Sequence, residues 1–309
     1  MANAPIALFA YKRADKLEKC IKALEKNQGV EETDLYIFAD GAKGEKDGDE
    51  VRAVRCYIDN YQKESRFRNV FVEKKEKNVG LANSIIAGVT SVINQYGKVI
   101  VVEDDLITTP DFLNYMNGAL DYYEEDLVYG SISAYTYPLK ELENYEKDVY
   151  ATKKGECWGW ATWKNRWENV DWEVRDFPQY RRSYRKRRAF KKLETGLDRM
   201  LVNQMTGKID SWAVRWCYHL FKTGQLTVYP KCSKTVNIGM DNSGTHCGNL
   251  DKRFERKTEN QMEEYNFEKI GFDKKLAHSV AIFSDQTMYQ KMNSICIKWF
   301  RIMKNKLRM

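Results

Sequence analysis

Three consecutive carboxylates, Glu103, Asp104 and Asp105, close the apolar run Val99-Ile100-Val101-Val102, and Pro110-Asp111-Phe112 follow soon after. An unbroken apolar run of this length suits a strand buried on both faces, as in a parallel sheet. Burying an unpaired charge costs at least several kcal/mol, so three acids there need partners. Open α/β sheets bind ligands at the carboxyl ends of their strands. Three acids at such an end are suited to hold a hard dication, Mn2+ or Mg2+, and the polar groups around it. The competing reading is a solvated acidic turn before a helix, where acids are favoured by the helix dipole.

The elements that must position these acids alternate strand and helix. IALFAY (6–11) precedes a helical pattern from Ala14 to Lys26. DLYIFAD (34–40) precedes a helix from about Asp49 to Gln62, and NVFVEK (69–74) precedes LANSIIAGVTSVINQY (81–96). KVIVVED leads to a helix opening at Pro110, a tolerated first-turn position for proline, and VYGSISAY (128–135) reads as a fifth strand. This rhythm predicts an α/β fold with a mostly parallel central sheet flanked by helices. The second half breaks the rhythm. It holds a Trp-dense segment (157–172), a basic stretch with helical character (176–206), a helix at about 211–223, the strands LTVYP and SKTVNIG, and a loop at 240–249. The expected division is 1–135, 136–250 and a C-terminal extension, 251–309, with the first two stretches in one continuous unit.

Composition narrows the function classes. The chain has 309 residues, 43% hydrophobic and 13% aromatic, enough for a large packed core. No run of about 18 apolar residues exists to span a membrane. The N-terminus lacks the basic n-region of a secretory signal. Seven scattered Cys without a C-x-x-C pair fit free thiols rather than a disulfide framework or zinc site, so a cytoplasmic protein is expected. The net charge of +7 is concentrated. RRSYRKRRAFKK (181–192) carries eight basic residues and no acid, and the last 24 residues carry six and none. Outside these two stretches acids outnumber bases. Placed on a helix, the terminal stretch has Met292, Ile295, Trp299, Phe300 and Met303 on one side and Lys298, Arg301, Lys304 and Arg308 on the other. It therefore reads as an amphipathic helix, packed on the core or docked on an anionic membrane surface.

There is no G-x-G-x-x-G after the first strand and no G-x-x-x-x-G-K-[ST], which argues against a dinucleotide site and a P-loop. Polar groups close each early strand instead: Lys12-Arg13, Asp40, Glu73 with KNVGLANS, then the three acids. This resembles a GT-A-fold glycosyltransferase. The closest resemblance is to the N-acetylglucosaminyltransferase I type, through EDDLITTPDF, SISA (131–134), CWGWATW (157–163), IDSW (209–212) and GTHCG (244–248). KNVGLANS is similar to bacterial sugar transferases. The likeness runs in order from about residue 5 to 250. Two departures stand out: Ile209 and Ser211 replace the first Trp and second acid of a Trp-Asp-Asp-Trp motif.

The resemblance implies an inverting, metal-dependent transfer from a UDP-sugar to a saccharide acceptor, lipid-linked and used in surface polysaccharide synthesis, at the inner membrane face. It implies that Asp105 ligates the metal, Glu103 and Asp104 contact sugar and ribose, and Arg13 and Asp40 flank the uracil, with Asp40 accepting from its ring N–H. Asn83 would help hold the nucleotide. Asp210 would be the base, and Thr245 and His246 would lie over the diphosphate. Trp158 and Trp160 are the sugar-contacting candidates of the Trp cluster, whose other members read as core. Such transfer needs a stabilised leaving diphosphate, a base for a hydroxyl of high pKa, and alignment of the two partners. Each assignment has a plainer rival. Asp210 is well placed to cap the helix after it, Arg13 to be an exposed charge, Asn78 and Gly80 a turn, and His246 a surface residue or a second metal ligand. Two other functions compete. A nucleotidyltransferase needs a Gly-rich basic signature after the first strand, which FAYKRADK lacks. A nucleic-acid binder would rest on 181–192 alone, so no nucleic-acid partner is expected.

Overall fold

A computed structural model describes residues 3–239 and 264–283. The elements are β1 (Ile6–Ala10), α1 (Ala14–Leu24), β2 (Asp34–Ala39), α2 (Gly48–Tyr61), β3 (Asn69–Lys74), α3 (Leu81–Tyr96), β4 (Lys98–Glu103), β5 (Leu106–Thr108), α4 (Phe112–Tyr123) and β6 (Tyr129–Ser133). There follow β7 (Val149–Thr152), β8 (Trp160–Trp163), α5 (Lys164–Trp167), α6 (Phe177–Arg182), α7 (Tyr184–Lys191), α8 (Leu197–Met205), α9 (Trp212–Thr223), β9 (Leu226–Pro230), β10 (Thr235–Asn237) and α10 (Lys274–Phe283).

Eight strands form one sheet in the order β3-β2-β1-β4-β8-β6-β9-β7. Strands β3, β2, β1 and β4 run parallel, so their carboxyl ends share one edge. Strand β8 is inserted antiparallel between β4 and β6, with Trp160 opposite both Val101 and Ser133. Strands from before and after residue 135 therefore share one sheet. Strand alternation explains the continuous apolar runs. Ile6, Leu8, Ile100 and Val102 face a core completed by Leu17, Ile21, Val54, Ile58, Leu113 and Met116. Ala7, Phe9, Val99 and Val101 face a second core, with Ile85, Val89, Trp167, Trp212 and Trp216. Both faces of β1 and β4 are thus helix-covered, and each fully buried Val, Leu or Ile contributes roughly 1.5–3 kcal/mol.

Two local expectations are corrected and one is refined. The helix expected from Pro110 begins at Phe112, because 106–108 is extended and pairs antiparallel with β10. Thr109 N–H then donates to the Lys234 carbonyl at 2.9 Å, which holds the chain out of helix until the next residues. The basic stretch is three short helices, α6 to α8, packed on α9 through Phe177, Tyr180, Phe190, Leu197 and Leu201. Strands β7 and β8 stand where no strand was expected, because VYAT and WATW are too short and carry no alternating apolar–polar signal. No helix among the described residues is long and apolar enough to cross a membrane. The terminal amphipathic stretch, 290–309, lies outside the described residues.

Candidate active site

The carboxyl edge of the sheet gathers the strand ends that carry chemistry. Asp104 and Asp105 follow β4 and are both buried, and Glu103 is the last, partly exposed residue of that strand. Arg13, at the start of α1, reaches across from β1. Its guanidinium pairs with Asp104, and its Nη1 lies 2.9 Å from Asp105 Oδ2. Asp104 Oδ2 also accepts from the Tyr11 N–H at 3.4 Å. Burial would lower the Arg13 pKa, but the two aspartates more than offset it and raise it. Burial pushes Asp104 up to about 6, with Asp105 adding to the rise and Arg13 opposing it. Glu103 is pushed up to about 8, by burial first and then by the neighbouring aspartates. The physical cause is burial first, and then the crowding of three acids around one paired cation.

The β5–β10 ribbon brings the chain after β10 onto this turn. Ile238 N–H donates to the Asp105 carbonyl at 2.8 Å, and Lys16 Nζ donates to the Ile238 carbonyl at 2.8 Å. A Cβ added at Gly239 would overlap Asp105 Oδ2, so the backbone can pass the carboxylate only without a side chain. Lys16 and Gly239 were not legible as site residues, because their contact with the turn depends on a strand pairing across about 130 residues. Thr245 and His246 follow Gly239 but lie outside the described residues.

Asp40, at the end of β2, sits beside the α3 N-terminus. Its carboxylate accepts from Gly41 N–H at 2.8 Å, Asn78 Nδ2 at 2.9 Å, Val79 N–H at 2.9 Å and Gly80 N–H at 3.0 Å. A carboxylate has about four lone-pair sites, and these four donors fill them. The expected role as acceptor for a base N–H is therefore corrected: here Asp40 clamps the 78–80 loop. Gly80 has φ +82°, a backbone that L side chains rarely adopt. Asn83 is exposed on the first turn of α3 and donates to the Val79 carbonyl at 2.9 Å.

Asp210 lies close to this loop. A Cβ built on Gly80 would stand 3.8 Å from Asp210 Oδ2. Ser211, not Asp210, caps α9, accepting from Val214 N–H at 3.3 Å. The capping role weighed for Asp210 is thus taken by its neighbour, and its side chain stays 56% exposed. Arg215 Nη2 lies 3.2 Å from Asp210 Oδ1, while its Nη1 donates to the Trp172 carbonyl at 3.3 Å. Arg215, five residues along α9, is a contact the sequence reading did not name.

The Trp cluster divides. Trp160 is 0% exposed and stacks on Trp212 at 5.0 Å, with Trp167 and Trp216 at 5.6 and 5.8 Å. Its expected sugar contact is corrected: inward-facing register on β8 puts the ring in the core, where no ligand reaches it. Trp158 is half-buried against Tyr135, at 4.7 Å, and its carbonyl accepts from Thr235 Oγ1 at 2.7 Å. Beside it, burial and then the charges of Glu156 and Glu103 raise the Cys157 thiol. Trp158 therefore belongs to a segment that adjoins the acid turn.

A model of the GNT-I family matches residues 1–192, well over half of the chain. The chain belongs to the GNT-I family. The match covers the Arg13, Asp40, acid-turn and Trp158 positions, while Asp210 lies beyond it. Solved structures similar to this GNT-I family chain include a mannosyltransferase, PcManGT from Pyrobaculum calidifontis, in complex with GDP-Man and Mn2+. It is 13% identical, covers 55% of this chain and 47% of its own, and has a TM-score of 0.37. S. aureus TarS is 12% identical over 42% of this chain and 21% of its own, at a TM-score of 0.32. The chain spans less than half the length of either structure. No curated protein matches the chain.

Proposed function

We propose that this GNT-I family protein is an inverting, metal-dependent glycosyltransferase that moves a sugar from a UDP-sugar to a hydroxyl of a saccharide acceptor. The observation that carries the reading is the charge imbalance at the acid turn. No hydrogen bond reaches the Glu103 side chain among the described residues, and it is raised to about 8, while Arg13 pairs among them with Asp104 and Asp105. An acid turn with more carboxyl groups than cations, at the open edge of the sheet, fits a dication. Among the described residues no group of three or more His, Cys, Asp or Glu side chains is arranged to hold a metal. That also fits, because Mg2+-type ions at diphosphates take one or two carboxylates and complete their shell with phosphate oxygens and water.

Asp105 would hold Mn2+ or Mg2+, which supplies Lewis-acid stabilisation of the leaving diphosphate. Glu103 and Asp104 would receive hydroxyls of the sugar and ribose. Arg13 and Asn83 would meet the nucleotide, with Asp40 holding the loop that carries Asn83. The exposed face of Trp158 would pack against the sugar ring. Asp210 would take the acceptor proton, and Arg215 would orient its carboxylate. A single base facing the acceptor, opposite the leaving diphosphate, is what supports inversion. Thr245 and His246 would lie over the diphosphate. The acceptor is proposed to be lipid-linked and the pathway a surface polysaccharide, with the enzyme peripheral on the inner face of the cell membrane.

The test separates binding from transfer. Asp210→Asn is expected to bind UDP with Mn2+ like the wild type, and to lose turnover by about 100-fold or more, the scale of a lost general base. Near-normal transfer by this variant, in a screen of UDP-sugars and saccharide acceptors, removes Asp210 from the mechanism.

A further inference from the structure

Helices α6 and α7 carry a concentration of charge that the sugar-transfer chemistry does not use. Arg181, Arg182, Arg185, Lys186, Arg188, Lys191 and Lys192 are all exposed. None of the seven forms an ion pair among the described residues, whereas Arg187, between them, is fixed by Asp198 at 2.9 Å. At 100° per residue, Tyr184, Arg185, Arg188 and Lys191 share an arc of about 120° on α7. Phe190 points the other way, buried at 5.6 Å from Tyr218 and 5.1 Å from Phe221 of α9. Tyr184 is 77% exposed, the most exposed large hydrophobic side chain among the described residues. The hairpin is thus anchored by its apolar face to α9 and presents a basic face with one aromatic ring to solvent.

We infer that this face docks the protein on a membrane surface rich in anionic lipid. The partner follows from the chemistry. Sites that read a fixed anion hold their cations with neighbouring carboxylates, as Asp198 holds Arg187. Seven long, unpaired cations suit a diffuse sheet of phosphates, where each keeps its freedom and the attraction is summed. Tyr184 has the amphipathic ring that favours the headgroup level. A single-stranded nucleic acid would call for several stacking aromatic rings along a basic groove, and this face offers one. Helix α9, whose first residues adjoin Asp210, is packed on this hairpin through α8 as well, with Ser211 N–H donating to Gln204 Oε1 at 2.5 Å. Docking would therefore fix the orientation of the proposed base relative to the lipid surface.

The experiment uses the full chain and co-sedimentation with vesicles of phosphatidylglycerol and phosphatidylcholine, or phosphatidylcholine alone, at low and high salt. The wild type is expected to bind the anionic vesicles and to release them at high salt. The triple variant Arg185→Glu, Arg188→Glu, Lys191→Glu should partition more than about a hundredfold more weakly, with an unchanged thermal transition. If that triple does not fold, Arg185→Gln, Arg188→Gln, Lys191→Gln carries the test and should bind about a hundredfold more weakly. The proposal is overturned if the wild type ignores anionic vesicles, if the folded variant binds them equally, or if RNA competes the protein off them at physiological salt. Vesicle binding involves no sugar transfer, so this result is independent of Asp105 and Asp210.

Discussion

Two buried groups of acids in this molecule contrast. At the carboxyl edge of the sheet, Asp104 and Asp105 share Arg13, and no hydrogen bond reaches the neighbouring Glu103 side chain among the described residues. Between β7 and β8, Lys154 meets Glu156 Oε2 at 3.0 Å and Glu194 Oε2 at 3.3 Å. Tyr137 OH donates to Glu156 Oε2 at 2.6 Å, and Cys157 N–H to Glu156 Oε1 at 3.1 Å. Burial would lower the Lys154 pKa, yet Glu156 and its neighbours raise it well above the usual range. The second group is saturated with donors and closed. The first is short of positive charge at the edge where ligands reach the sheet. Buried acids alone do not mark a site; acids left short of donors at the open edge of the sheet do.

The largest expected effect tests the unbalanced group. Asp105→Ala should weaken Mn2+-dependent UDP binding by more than about a hundredfold, following loss of a direct ligand. It should not lower stability, because it removes a like charge from a crowded turn. Wild-type UDP affinity in this variant, measured by titration calorimetry, would erase the distinction. Next comes the closed group. Lys154→Met strands the buried Glu156 and the partly buried Glu194 and should cost about 3–5 kcal/mol in chemical denaturation. A loss under about 1 kcal/mol would mean that water already serves these acids.

The third effect sharpens the rule with a buried group that has no counter-charge. His219 is 5% exposed and stacks on Trp216 at 5.7 Å; burial, and then Lys222, lower its pKa to about 4. The unfolded chain, with His near 6.5, binds the proton more tightly. Stability from this residue is therefore complete above about pH 6.5 and lost as pH falls toward 4, roughly 3 kcal/mol in all. His219→Leu should flatten that part of the stability curve. An unchanged slope would place the acid sensitivity elsewhere.

Legibility followed the range of the interactions. Strand β3 and helix α3 fall where the apolar pattern places them, and β1, β2 and β4 within a residue. Asp105 and Asp104 at a strand end were readable from the order of residue types. Arg13 was readable as a site residue but not as the partner of Asp104 and Asp105, because that pairing needs β1 and β4 side by side. Trp160 and Trp158 differ by two positions and have similar local sequence. Only the antiparallel insertion of β8 decides that one is core and the other borders the acid turn. Ser211 and Asp210 compete for one cap, and the Ser211 hydroxyl's bond to Val214 N–H decides it.

By itself the sequence determined the alternating α/β rhythm, the apolar strand ending in three acids, and the family motifs. Each is a matter of neighbours along the chain, where period and residue type suffice. The tertiary structure decided which acids stay unbalanced, that Asp40 is saturated by the 78–80 loop, that Gly239 passes against Asp105, and that Asp210 stands near Gly80. These depend on distances between residues far apart in sequence. The energy of a buried charge is set by what the fold brings within a few ångströms of it, which no local pattern encodes.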